Sequence, residues 1–69
     1  MDYRKMTNEE LVKAYTGKRG DLASEMCRRA GTRKYLYEHA TYDDRKFDSC
    51  MRDTIAVLNK RPTLRGTEV

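Results

Sequence analysis

Arg28, Arg29, Arg33 and Lys34 lie on either side of Gly31, and Lys18 and Arg19 stand a short way upstream. Over 18–34 these six cations meet only Asp21 and Glu25, a local excess of +4 in a chain whose formal net charge is also +4. Cations grouped in this way attract phosphate or an acidic protein surface. Tyr35 and Tyr37 follow at once and add aromatic contact area to the same stretch. Other reactive types are sparse. His39, the single histidine, has no serine or cysteine beside it in a nucleophile arrangement. Asp43, Asp44, Asp48 and Asp53 fall where a helix uses carboxylates for capping and solubility. Gly17, Gly20 and Gly31 occur singly, so there is no phosphate-cradling loop. Cys27 and Cys50 with one histidine cannot complete a structural zinc site or a disulfide framework. The expectation is a chain with no catalytic residue, no metal and no cofactor, and not an enzyme.

Four helices would have to position these residues. Thr7-Asn8-Glu9-Glu10 is a capping box, with Met6 and Leu11 at the staple positions, and it opens a first helix over about 8–16 that Gly17 stops. After Lys18-Arg19-Gly20, Asp21 caps a second helix. Its Leu22, Ala23, Met26, Cys27 and Ala30 share one face, and it stops at Gly31 with Arg28 and Arg29 complementing its dipole. Thr32 caps a short third helix over 33–40. Thr41-Tyr42-Asp43-Asp44 starts the longest helix, about 42–59, where Phe47, Cys50, Met51, Thr54, Ile55 and Leu58 keep a three-four repeat and Asp48 pairs with Arg52. Pro62 ends it, and 62–69, without periodicity, reads as a flexible tail.

The fold class is therefore all-α: a small bundle of three short helices and one longer C-terminal helix, helix-turn-helix-like, in a single domain over 1–61. Its core would hold Leu11, Tyr15, Leu22, Met26, Leu36, Phe47, Met51, Ile55 and Leu58, with both cysteines as small apolar residues of a reducing, cytoplasmic compartment. At 69 residues, with 38% hydrophobic, 38% charged and a mean hydropathy of −0.99, that core is small enough to leave room for a homodimer. No apolar run is long enough for a membrane span, so no membrane partner is expected.

Met26-Cys27-Arg28-Arg29-Ala30-Gly31, followed by Leu36-Tyr37-Glu38-His39 and then Lys46-Phe47, resembles the helix-turn-helix of TetR-type repressors. The span from Gly31 to Leu36 is one residue shorter than in that family, and Ala40 stands at an aromatic position. The resemblance implies that Thr32 to Tyr37 meet a major groove. A recognition helix beginning at Arg33 would put Arg33 and Lys34 in the turn that meets base edges, with Tyr35 and Tyr37 beyond. Lys18, Arg19, Arg28 and Arg29 would then anchor the phosphate backbone. The leading expectation is a small DNA-binding protein of transcription regulation or an accessory role. The alternative is a non-catalytic inhibitor or adaptor of the phage type that occludes a larger host protein, since five tyrosines and nine arginines supply interface hot-spot residues.

Overall fold

A computed structural model describes residues 2–32 and 44–68. Among these the chain is helical, and its only β-type pairing is an isolated antiparallel bridge between Thr7 and Arg65. A 3-10 turn, Tyr3–Lys5, precedes α1 (Asn8–Ala14), α2 (Asp21–Ala30) and α3 (Asp44–Asn59), and a second 3-10 turn, Gly66–Glu68, follows. The helix expected over 33–40, the start of the long helix at 42 and the core role of Leu36 lie outside the described residues.

The capping box forms as its residues predict. The Thr7 hydroxyl accepts from the Glu10 N–H at 3.2 Å and the Glu10 carboxylate accepts from the Thr7 N–H at 2.9 Å. Hydrogen bonding of the carboxylate by the Thr7 backbone N–H, and then by the Thr7 side chain, holds the Glu10 carboxyl below its usual range. The far end of α1 departs from expectation. Tyr15 leaves the helix in an extended conformation, so α1 ends at Ala14 and Gly17 (φ 85°) serves the following loop. Asp21 is likewise the first residue inside α2 and not its cap. Gly20 is the N-cap and offers no side-chain bond. At the other end of α2, Gly31 adopts φ 76° and ψ 18°; its N–H donates to the Arg28 carbonyl, and the Thr32 N–H reaches the Cys27 carbonyl at 2.9 Å. Those paired bonds are the left-handed helix stop that Gly31 predicts.

Leu11, Ala23, Met26, Cys27, Phe47, Cys50, Met51 and Leu58 form the buried core, against which Tyr15, Leu22 and Ile55 pack half-buried. Polar groups inside the core are matched to each other. Thr54, fully buried on α3, donates to the Cys50 carbonyl at 2.9 Å and lies 2.6 Å from the Thr32 hydroxyl, while the Cys27 thiol meets the Met51 sulfur at 3.5 Å. Both cysteines are buried free thiols, as expected. Burial pushes the Cys50 thiol above its ordinary value.

The segment after Pro62 makes backbone bonds that its lack of periodicity does not suggest. Residues 62–64 lie across the start of α1: Asn8 N–H donates to the Leu64 carbonyl at 2.8 Å and Glu9 N–H to the Pro62 carbonyl at 3.0 Å. The first N–H groups of a helix have no partner within it, and here the chain's own later backbone supplies one.

Candidate functional site

Arg29 is the centre of this arrangement. Its side chain is 0% exposed, and every guanidinium nitrogen is engaged. Nε donates to Glu25 at 2.8 Å; Nη1 donates to Asn8 Oδ1 at 3.0 Å and to the Leu64 carbonyl at 3.4 Å; Nη2 donates to the carbonyls of Tyr3 at 2.7 Å and Arg4 at 3.3 Å. One side chain thereby ties α2 to the N-terminal turn, to α1 and to the C-terminal segment. Asn8, itself buried, uses its amide to reach the Arg61 carbonyl at 2.8 Å and the Leu58 carbonyl at 3.5 Å, closing the end of α3. No buried side-chain nitrogen or oxygen among the described residues lacks a partner.

Arg28 is bound into the same group. Nε and Nη2 hold the two Glu25 oxygens at 2.9 and 2.7 Å, and Nη2 also donates to the Gly66 carbonyl at 2.9 Å. The Arg28 bond, with help from Arg29, overcomes burial and holds the Glu25 carboxyl below its usual range. Gly66 completes the packing: a Cβ there would stand 2.5 Å from Glu25 Oε2, 2.8 Å from Arg29 Nη2 and 2.8 Å from the Arg4 carbonyl.

Two expected phosphate anchors are thus internal. Arg29 is sealed from any partner by burial, and Arg28, although partly exposed, has its fork filled by a carboxylate and a carbonyl. The dipole role read for both from the sequence is subordinate to these bonds. Arg19 is also committed: it pairs with Asp44 at 2.5 Å and lies over the Phe47 ring, 4.9 Å from its centroid. Lys18 alone of the four stands exposed without an ion pair, at the rim of a cleft of about 430 Å³ that Gly17, Asp44, Phe47 and Asp48 also line. Arg33, Lys34, Tyr35 and Tyr37 lie outside the described residues.

Asp48 and Arg52 do not close the pair expected of them, and both are exposed. Among the ion pairs between described residues are those of Asp2, Glu9, Glu25 and Asp44 with Lys5, Lys13, Arg28, Arg29 and Arg19. Lys18, Lys46, Arg52, Lys60 and Arg61 stand outside these pairs and face solvent. A second cleft, about 340 Å³, opens between the end of α3 and the C-terminal segment, with Lys60 and Arg61 among its lining residues and the saturated Arg29 behind. Among the described residues no three His, Cys, Asp or Glu side chains come together as a metal site, and no helix is long and apolar enough to cross a membrane.

The sequence reading missed Asn8 and the hub function of Arg29. The available signal was Glu25 at i−4 and i−3 from the two arginines, which places one carboxylate within reach of both. No protein-family model matches the chain, and neither does any curated protein or solved structure.

Proposed function

We propose that the chain is a small, non-catalytic DNA-binding protein with a regulatory or accessory role, working through the region that follows α2. The observation that carries this reading is the joint at Gly31. A left-handed stop fixed by bonds to Arg28 and Cys27 turns the chain out of α2 immediately before Arg33 and Lys34, the sequence that resembles a TetR-type recognition helix. In this reading Arg33 and Lys34 meet base edges and Tyr35 and Tyr37 flank them, while Arg28 and Arg29 hold the scaffold behind the joint. Lys18 is the one upstream anchor retained.

Binding to a labelled duplex across a salt series tests it. Neutralising several phosphates makes affinity fall steeply as salt rises, and Arg33→Ala with Lys34→Ala is expected to weaken binding at every salt concentration. No binding by the unaltered protein at low salt would end the reading. In that case, one stoichiometric protein recovered from nuclease-treated lysate would favour the inhibitor or adaptor role.

A further inference from the structure

With Arg29 buried, Arg28 bonded to Glu25 and Gly66, and Arg19 in a surface pair with Asp44, further phosphate contacts of the proposed DNA complex are sought on α3. Its core residues Phe47, Cys50, Met51, Thr54 and Leu58 occupy one face. At 100° per residue the opposite face carries Arg45, Ser49, Arg52, Ala56 and, in the turn just past the helix, Lys60, all exposed. Asp48 and Asp53 border this stripe on either side, yet neither closes an ion pair with it. Among the described residues no carboxylate comes within ion-pair distance of Arg52 or Lys60. Ser49 and Ala56 are short enough to let the helix axis come close to a backbone between the cations, and a serine hydroxyl can itself donate to a phosphate oxygen. Arg45, Arg52 and Lys60 follow one another at seven and eight positions, about 10–12 Å along the axis at ~1.5 Å per residue. Measured along the duplex axis, that separation covers about three base-pair steps at ~3.4 Å each.

We infer that the solvent face of α3, through Arg52 and Lys60, is the surface that tracks the phosphate backbone of duplex DNA. This inference rests on the DNA-binding reading above and assigns its backbone contacts. The occupant is a polyanion of regular charge spacing, and Arg52 supplies the fork that grips phosphate bidentately.

The test compares the slope of log affinity against log salt for the full chain and two double variants. Each phosphate contact contributes about 0.9 to that slope. Arg52→Ala with Lys60→Ala is expected to shrink it by about 1.8, with helical circular dichroism unchanged because both side chains are exposed. Lys5→Ala with Lys13→Ala, which removes two cations from other elements, is expected to leave the slope as it was. If the unaltered protein binds DNA and the Arg52/Lys60 variant keeps the full slope, the α3 assignment is wrong while the DNA-binding reading stands. An equal slope loss in the Lys5/Lys13 variant would also overturn the assignment, because the effect would then be one of net charge. If the unaltered protein binds no DNA at low salt, both fall together.

Discussion

A guanidinium with all its donors used behaves unlike a surface cation. Arg29→Ala would remove five bonds at once and leave Asn8, Tyr3, Arg4 and Leu64 acceptors facing a void. Breaking a buried pair usually costs about 3–5 kcal/mol, and because Arg28 still neutralises Glu25, the lower end of that range is expected in urea unfolding. Arg29→Lys should recover little, since an ammonium cannot reproduce the planar fork that reaches three chain segments. Glu25 gives the hub a pH dependence of definite sign. Its carboxyl titrates below the ordinary value of 4.5, because Arg28 and Arg29 donate to its charged form. The stability it contributes is whole above that value and is lost as pH falls through the depressed folded value. Urea midpoints measured at descending pH should therefore drop below about pH 4.5, and Glu25→Gln should flatten that drop after lowering stability at neutral pH. Glu10 acts in the same window, so the comparison needs Glu10→Gln alongside.

Elements in this protein end where a specific bond ends them, and those bonds differ in how far a sequence reveals them. The capping box at Thr7 and the stop at Gly31 are local, involving residues three to five apart, and both were legible. Gly31→Ala should cost about 1 kcal/mol, because a Cβ disfavours the left-handed conformation that the joint requires; thermal unfolding would report it. The α3 repeat was legible too, and it identified Phe47, Met51 and Leu58 as core. What could not be read was the 62–68 segment. Its bonds to Asn8 and Glu9 run backbone to backbone, so no side-chain pattern encodes them, and Gly66 matters only because three groups distant in sequence crowd the place its side chain would fill. Gly66→Ala is expected to destabilise by roughly 1–3 kcal/mol through that crowding. Trimming the chain after 61 should do more, since it strips the partners from the start of α1.

At the scale of the molecule, two kinds of interior share the work. An apolar core joins α2 to α3, and a polar knot joins both ends of the described chain through Arg29. Met51, 1% exposed, sits in the first, and Met51→Ala should cost about 2–5 kcal/mol, a large share of what so short a chain can hold; a stable, fully helical variant would contradict the role of α3 as the packing spine. The candidate DNA surface was only partly legible for a related reason. Sequence locates cations but not the carboxylates and carbonyls that consume them, so Arg28 and Arg29 looked available when the fold had already used them. The knot also bears on biosynthesis. Four of the five Arg29 bonds go to Tyr3, Arg4, Asn8 and Glu25, all made before it, while the Leu64 carbonyl is added only after α3, so the C-terminal segment closes over a knot whose charge is already paired.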